Sequence, residues 1–551
     1  MITSDSCVRA AGSAPLVRTD RYEISWRGFV YLDGAGSGAQ SILKFAQEYG
    51  DYLAAAAANL RGVYFVQIKD KAANRRFSFV DNSGLYHAYV SPKSVGTSFL
   101  DIVSRERLKP EDLDPEAIVE FLRFGCIYSG RTFFPQVRTI AADEIVESLP
   151  DGSTSISKKP IPDISQVPHR PFEELLRSFS ESISRERASL DLTGGSDSRL
   201  LAVVFCYFGL PFEVALSGNS TMQDATIAQE VSQVLGRDFF LTHHDPRQTD
   251  WDNLFSISDG LFDLAKSDRP IQLQRDRRAR GVTLGISGAG GELFKDFWWL
   301  QDFPLYARQK HALERLYHMR FAPAWPELSY LGARYCHAAA SLSARMLQRF
   351  ASYASGTNTQ TYDRIYYELK MRGFAGRFLT NSSAILQVHA PYLDREAVAI
   401  GYNLDRSKRF FNRYHRAMIT KMSPEAAKIA STEGGMSTSA TAFDLSRDLI
   451  KYVADRILRL KRKLNQLHGA PVKPVQGPDS ADLPLVLRQL AAKRGTIQRL
   501  QDYGIVGKTL SSDRIELASL GPLLSLDMLI ERLESKSACV DIPEMSVSRP
   551  A

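Results

Sequence analysis

The sequence predicts a mixed fold, α/β plus α+β, with a β-rich N-terminal region and a parallel sheet covered by helices. Residues 23–100 contain β-branched and aromatic runs separated by short polar turns, a pattern typical of antiparallel strands. From residue 188, strands alternate with helices, and this order builds a parallel sheet. A chain of 551 residues, 44% of them hydrophobic, exceeds what one small core needs, so we expect two or three domains.

The N-terminal region divides into short predicted elements. Strands at 62–68 and 77–80 join through the polar turn KDKAAN, and the turn Asp81–Gly84 precedes another apolar run at 85–90. A helix is predicted at 111–125 and a strand at 145–149. A proline-rich linker at 158–168 ends the region.

Helix and strand signals continue after this linker. The apolar spacing predicts strands at 188–192, 212–216, 239–242 and 282–286, and helices at 171–186, 197–208 and 223–235. From about residue 305 the pattern is mostly helical. Residues 447–465 form a basic amphipathic helix whose apolar stripe contains Ile450, Val453, Ile457, Leu460 and Leu464. We expect this helix to pack on the domain before it, and a contact with a partner is the alternative.

The stretch LDLTGGSDSRL, residues 190–200, lies where a predicted strand turns into a helix. Two glycines let the backbone approach a ligand, and the helix N-terminus favours an anion. The hydroxyls of Thr193, Ser196 and Ser198 can add hydrogen bonds. Since an acid repels phosphate, Asp197 has a sensible role as a ligand of Mg²⁺ that bridges to phosphates. A glycine turn that merely caps a helix is the simpler alternative.

Four segments, at residues 193–198, 212–245, 287–294 and 387–394, together resemble motifs of the asparagine synthetase family. TGGSDS resembles the family's SGGxDS pyrophosphatase loop, with Thr193 in place of serine, and SGAGGELF (287–294) resembles SGxGxDELF. Residues 212–245 are similar to the family's second strand and acidic helix, and QVHAPYLD (387–394) resembles ExRxPFLD. Two such loops in this order, about ninety residues apart, are more specific than either alone.

This resemblance implies a PP-loop, HUP-like ATP pyrophosphatase domain that cleaves ATP to AMP and pyrophosphate while it adenylates a carboxylate. It implies that Asp197 and Glu292 are catalytic and hold Mg²⁺. The implied ATP ligands are Leu192, Thr193, Gly194, Gly195, Ser196, Ser198, Leu216, Ser217, Ser287 and Gly288.

The first 160 residues resemble the family's N-terminal glutaminase, an Ntn-hydrolase-like domain. LRGVYF (60–65) is similar to LxGxFAF, and residues 81–84 and 130–133 match further turns. The family's nucleophile is a cysteine directly after the initiator methionine, whereas Ile2 stands there and Cys7 is the nearest thiol. We therefore expect a degenerate domain without glutamine hydrolysis.

The ATP-binding half also departs from the family pattern. Ala289 replaces an acid or tyrosine, and the family's DE pair is either shortened to Glu292 alone or has Gly291 in place of its aspartate. Either change removes one expected ligand of Mg²⁺ or pyrophosphate, unless Glu292 or Asp296 takes that role. Gln387 replaces the glutamate that partners the tyrosine base of β-lactam synthetases. Lys428 is our candidate for the late catalytic lysine, with Lys421 as an alternative.

The predicted function is an ATP-dependent amide ligase acting on a small-molecule or peptide carboxylate, with an amine or ammonia as nucleophile. Lasso-peptide macrolactam synthetases are relatives that need no ammonia. The alternative is a catalytically degenerate member that binds a nucleotide or a partner. The predicted domains are a loose leader at 1–22, the glutaminase-like domain at 23–160, the ATP-binding domain at 168–440 and a helical extension at 441–551.

Composition limits the partners and the compartment. The net charge of +7 is a mild excess without basic–aromatic repeats, so we expect no nucleic acid partner. The most apolar run is broken by Gly209, Pro211 and Glu213, so we expect no membrane partner. The five scattered cysteines and the lack of a signal segment predict a cytoplasmic protein. A homodimer is one expected assembly.

Overall fold

The computed structural model of the protein describes residues 14–50, 52–295, 309–321, 328–432, 436–467, 482–508, 515 and 517–538. Ile2, Cys7, Asp296 and part of the predicted leader lie outside the described residues. Within the described ranges, no helix combines the length and apolar character needed to cross a bilayer. The thiols of Cys126, Cys206 and Cys336 are free.

The N-terminal region contains two antiparallel sheets. The larger has the order β1-β2-β3-β4-β8-β9 and the smaller the order β6-β5-β7. The predicted hairpin at 62–80 is confirmed as β3 and β4, where Phe65 pairs with Val80. The strands are β1 (Leu16–Arg18), β2 (Tyr22–Tyr31), β3 (Arg61–Asp70), β4 (Arg75–Val80), β5 (Tyr89–Val90), β6 (Val95–Gly96), β7 (Arg138–Thr139), β8 (Glu144–Ser148) and β9 (Thr154–Lys158).

A five-stranded parallel sheet follows, with the order β12-β11-β10-β13-β14. The four strands that the sequence predicts here are confirmed, and β14 is an addition. The first strand, β10, lies between β11 and β13, so the strand order reverses on its two sides and opens a crevice at the carboxyl ends. The strands are β10 (Ala188–Asp191), β11 (Phe212–Ser217), β12 (Phe239–Thr242), β13 (Leu284–Ile286) and β14 (Gln387–His389).

Helices pack on the six-stranded and five-stranded sheets and dominate the C-terminal half. A π-helical segment, Tyr366–Ala375, connects α12 to α13. The helices are α1 (Ala39–Glu48), α2 (Leu53–Ala56), α3 (Phe99–Arg105), α4 (Pro115–Phe124), α5 (Phe172–Ser182), α6 (Ser196–Tyr207), α7 (Gln223–Val234), α8 (Trp251–Ser258), α9 (Leu264–Ala279), α10 (Leu313–Leu316), α11 (Ala333–Ser352), α12 (Asn358–Ile365), α13 (Gly376–Ser383), α14 (Arg395–Asn403), α15 (Arg406–Arg409), α16 (Arg413–Met422), α17 (Pro424–Lys428), α18 (Ala442–Leu467), α19 (Asp482–Arg494), α20 (Thr496–Asp502) and α21 (Leu517–Ala538).

One hydrophobic core spans the two regions. The ring of His389, at the end of β14, lies 5.5 Å from that of Phe29 and 5.8 Å from that of Tyr31, both on β2. Phe179 of α5 contacts the same cluster. The N-terminal sheet therefore holds the edge of the parallel sheet that carries β14.

The C-terminal helices differ in how they pack. The apolar side chains of α21, such as Leu524 and Leu529, are fully buried in the common core. The helix α18 does contact the preceding domain, as we expected, but through its polar side, where Asp448 meets Arg416. Its described apolar stripe is exposed, with Ile450 71% accessible.

Candidate functional site

The loops after β10 and β13 meet at the carboxyl edge of the parallel sheet. We call residues 192–195 the glycine loop and residues 287–291 the second loop. A Cβ on Gly288 would lie 3.2 Å from the backbone of Ser198, and one on Gly291 would lie 2.5 Å from Cγ of Asp197. Glycine at both positions lets the second loop press directly against the first turn of α6.

The glycine loop is held by its own hydroxyl groups. The Thr193 N–H donates to Oγ of Ser198 at 3.1 Å, and the Gly195 N–H donates to Oγ1 of Thr193 at 3.3 Å. Helix α6 begins at Ser196 without a side-chain cap on its N-terminus. The backbone at this helix start therefore presents the positive end of the helix dipole.

An acid from the neighbouring helix also binds this loop. The Gly194 N–H donates to Oδ1 of Asp224, in the first turn of α7, at 2.7 Å. The Gly194 carbonyl accepts from the N–H of Thr432 at 3.1 Å. A Cβ on Gly194 would meet both of these side chains, since Thr432 Cγ2 lies 2.5 Å and Asp224 Oδ1 lies 2.9 Å from its position. These contacts fix the path of the loop.

Asp197 lies in the first turn of α6 between two nitrogen groups. Its Oδ2 lies 2.8 Å from Nζ of Lys295, and its Oδ1 lies 3.0 Å from Nε2 of His415. Burial would raise the pKa of Asp197, but Lys295 and then His415 outweigh it and lower that pKa to about 2. The carboxyl group is therefore ionised across the physiological range.

The surroundings of Asp197 are fixed by two further contacts. Tyr392 donates its hydroxyl to the Asp197 carbonyl oxygen at 3.1 Å. Nζ of Lys295, which is buried, lies 3.3 Å from Oγ of Ser196. Lys295 thus contacts the start of α6 at two points, and its positive charge adds to that of the helix N-terminus.

Glu292 is a second acid beside Asp197. Tyr366, at the start of the π-helical segment, donates its hydroxyl to Oε2 of Glu292 at 2.5 Å. Burial and the neighbouring charge of Asp197 raise the pKa of Glu292. The site therefore combines an acid that is firmly ionised with one that is held closer to protonation.

These two carboxylates are the donor type that Mg²⁺ prefers. Among the described residues, no group of three or more His, Cys, Asp or Glu side chains could hold a metal alone. Mg²⁺ usually keeps several waters and binds through one or two carboxylates together with substrate phosphates. Asp197 and Glu292 thus fit a metal that arrives with a phosphate ligand.

The remaining predicted ligand residues line the same sheet edge. Leu192 and Leu216 are buried at the ends of β10 and β11. The Ser217 hydroxyl accepts a hydrogen bond from Nε of Arg269 at 3.2 Å. The Ser287 N–H donates to the His389 carbonyl at 2.8 Å, which ties the second loop to β14.

Lys428 is the predicted residue that the structure does not bring to Asp197. Its side chain is 66% exposed and pairs with Glu425 on the same helix at 2.7 Å. The chain directly after Lys428 is held at another place, because the buried Arg199 guanidinium donates to the carbonyls of Ile429 and Ala430 at 2.6 and 2.9 Å. Lys421 is also exposed, and it pairs with Glu173.

Sequence reasoning missed four side chains of this site: Lys295, His415, Tyr366 and Asp224. A signal existed for Lys295, which follows Glu292 by three residues in the same segment. Asp224 also stands in a segment with a family resemblance. His415 and Tyr366 come from helical parts of the chain without a local motif, so only the fold reveals them.

No family model matches the chain, and no curated protein matches it.

Proposed function

We propose that the protein is an ATP-dependent carbon–nitrogen ligase of the asparagine synthase-like type, which adenylates a carboxylate, releases pyrophosphate and forms an amide. One observation carries the proposal: the carboxyl edge of the parallel sheet brings an uncapped helix N-terminus, the ionised Asp197 and the buried Lys295 together. A helix start and a cation favour phosphate, and an acid inside such a site suits a bridging metal.

The chain's own groups have distinct roles in this proposal. The backbone amides in the first turn of α6 and the hydroxyls of Thr193, Ser196 and Ser198 hold the pyrophosphate, and Lys295 neutralises the charge that develops on it. Leu192, Leu216, Ser217, Ser287 and Gly288 surround the nucleoside. Because the two loops are interlocked, these groups are positioned before the nucleotide binds.

Asp197 and Glu292 would hold the Mg²⁺ that accompanies ATP. When bound, this ion withdraws charge from the phosphate oxygens and so favours departure of pyrophosphate. The hydrogen bond from the Tyr366 hydroxyl fixes the orientation of the Glu292 carboxyl group.

The proposed reaction has two steps. A carboxylate oxygen attacks the α-phosphorus of ATP, the bond to the β-phosphate bridge breaks, and pyrophosphate leaves. An amine nitrogen then attacks the acyl carbon of the adenylate, AMP leaves with the former carboxylate oxygen, and the nitrogen loses one proton. The products are an amide, AMP and pyrophosphate.

We infer that the amine comes from a second substrate or from the same molecule, as in macrolactam formation. In the described part of the N-terminal region the thiol is that of Cys126, and burial raises its pKa to about 11. Such a thiol is a poor nucleophile at neutral pH. Cys126 therefore offers no substitute for the cysteine with which the resembling family hydrolyses glutamine.

A second candidate is a nucleotide-binding or partner-binding protein that does not turn over. Contacts among the protein's own groups in the site favour it. Asp224 already accepts the Gly194 N–H, and two nitrogen groups already contact Asp197. A ligand would have to compete with these contacts.

Product analysis separates the two candidates. The protein is incubated with ATP, Mg²⁺ and a panel of carboxylates and amines, including short peptides, and the nucleotides are resolved by chromatography. The ligase proposal predicts AMP and pyrophosphate with at least one acid. MgATP binding without any turnover would favour the second candidate, and ADP with phosphate would contradict adenylation.

A further inference from the structure

The helix α18 is anchored by the side that faces away from its apolar stripe. Asp448 is fully buried, and its Oδ2 lies 3.2 Å from Nη1 of Arg416 and 3.2 Å from Oγ of Ser437. Arg447 reinforces this anchor through its own contact with Asp448 at 3.1 Å. An amphipathic helix usually buries its apolar face against the core, so this orientation is inverted.

The exposed stripe follows a heptad. Phe443, Ile450 and Ile457 are spaced by seven residues and are 76%, 71% and 49% exposed. Val453 lies three residues after Ile450 and is also exposed, and the sequence continues the same spacing with Leu460 and Leu464. Alternating steps of three and four residues, with β-branched and leucine side chains, form the seam of a coiled coil.

The positions that border this seam carry positive charge. In the heptad that places Ile450 and Ile457 at a and Val453 at d, the e and g positions in the second half of the helix are Arg456, Lys461 and Lys463. The earlier flanking positions hold Leu449, Ala454 and Arg447, which pairs with Asp448. Two copies of α18 would therefore place like charges opposite each other in either orientation, which disfavours self-pairing. A partner with acids at these positions would gain from every such pair.

We propose that α18 is one strand of a heterotypic coiled coil, and that its partner is a helix with an apolar heptad seam bordered by Glu or Asp. The described part of the seam, from Phe443 to Ile457, is exposed, so a partner helix can reach it without any change in the core. The inference does not depend on the function proposed for the loop site.

The test uses the full chain and two synthetic peptides. Both peptides carry Ile and Leu at the seam, and one has Glu while the other has Lys at the flanking positions. Titration calorimetry is expected to show binding of the Glu peptide and, because flanking charges set partner choice, at least about tenfold weaker binding of the Lys peptide.

Two variants locate the contact. The double substitution Ile450→Asp with Ile457→Asp is expected to abolish binding, since it places charges in the seam. Lys451→Asp, one position off the seam, makes a larger single-site charge change and is expected to retain most of the binding. Since all three side chains are exposed, thermal unfolding of both variants should match that of the parent.

Three results would overturn the proposal. The first is no binding of the Glu peptide. The second is dimerisation of the parent, measured by light scattering, that the double substitution abolishes. The third is a parent protein that does not bind the Glu peptide but binds phosphatidylserine vesicles in a way that depends on Ile450. This result would assign the helix to a lipid surface.

Discussion

Asp197 is the residue on which the proposed chemistry depends, and its neighbours explain its state. An acid in a helix start that binds phosphate costs free energy unless cations or a metal compensate it. Lys295, in the segment that follows the second loop, supplies the cation, and His415 of α16 contacts the other carboxylate oxygen of Asp197. The same groups keep the Asp197 carboxyl group ionised and fix its direction.

Replacing Lys295 by methionine tests this residue pair. The variant leaves Asp197 without its closest cation and removes a charge that the proposal assigns to the pyrophosphate. We expect pyrophosphate release to fall by about 10²-fold, a size typical of losing one charge-stabilising group.

Lys295→Arg serves as the matched control, since it retains the charge, and it should recover part of the rate. Thermal unfolding of both variants identifies any loss that comes from the fold alone. A Lys295→Met protein that is folded and as fast as the parent would exclude this role for the lysine.

The glycine loop could be predicted from the sequence because its residues are consecutive, whereas the groups that compensate Asp197 could not. Lys295 lies about a hundred residues from Asp197, and His415 lies more than two hundred residues away. Their approach depends on the strand order and on the packing of α16 against α6, neither of which leaves a local pattern. Lys428 is predicted from its place just before the region where the resembling family carries its late catalytic lysine, whereas in the structure its side chain is exposed and pairs with Glu425.

Packing of the second loop explains why position 291 is glycine where the resembling family has an acid. A side chain at position 291 would begin 2.5 Å from Cγ of Asp197, so the acid found in the resembling family has no room here. Glycine at this position is therefore a requirement of the present arrangement. Glu292 remains as the acid of this segment, and Tyr366 holds it.

The end of α8 meets the start of α3 through one buried acid. Asp259 has a positive φ of 53°, and its carboxylate accepts the N–H groups of Phe99 and Leu100 at 3.0 and 3.3 Å. Ser98 donates its hydroxyl to the same group at 3.0 Å. Burial raises the pKa of Asp259 to about 6 despite these hydrogen bonds.

This raised pKa predicts a pH dependence of stability. Because the folded-state pKa of Asp259 lies above the unfolded value of about 4, its contribution is complete below pH 4 and is lost as the pH rises through 6. Relative to Asp259→Asn, which does not titrate, the parent should lose up to about 3 kcal/mol between pH 4 and pH 7. Denaturant unfolding of both proteins across this range measures the difference, and a constant difference would contradict the assignment.

A cluster of charged side chains joins the N-terminal region to the region of the parallel sheet. Nη2 of Arg61, on β3, lies 2.7 Å from both Asp394 and Glu396, and its Nη1 lies 2.9 Å from Asp33. Arg170 adds contacts to Asp33 and Glu396. Asp394 caps α14 and directly follows the segment that supplies Tyr392 to the site, so this junction supports the position of that segment.

Replacing Arg61 by methionine should destabilise the entire chain. The variant leaves three carboxylates near one another, and Arg170 still pairs with two of them, Asp33 and Glu396. Breaking a buried ion pair costs about 3 kcal/mol or more. Since one core spans both regions, we expect calorimetry to show a single transition at a lower temperature. Two separate transitions would show instead that the regions unfold independently.

The parallel sheet could be predicted from the sequence, but the contacts that place β14 and α21 could not. Alternating strand and helix signals at 188–286 predicted the parallel sheet, because buried parallel strands are continuous apolar runs. The three-residue strand β14 had no such run, and it gains its place by packing against β2. The burial of α21 beside the N-terminal helices likewise reflects tertiary contacts alone.

The proposed role of Asp197 in ATP cleavage is tested by the rate of pyrophosphate release from the parent and from Asp197→Ala. The assay contains Mg²⁺ and a carboxylate that the product screen identifies. Asp197→Asn, which keeps the shape of the side chain, is the matched variant. We expect AMP and pyrophosphate from the parent and a loss of about 10³-fold in both variants, which retain the fold. Release by folded Asp197→Ala at the parental rate would contradict it.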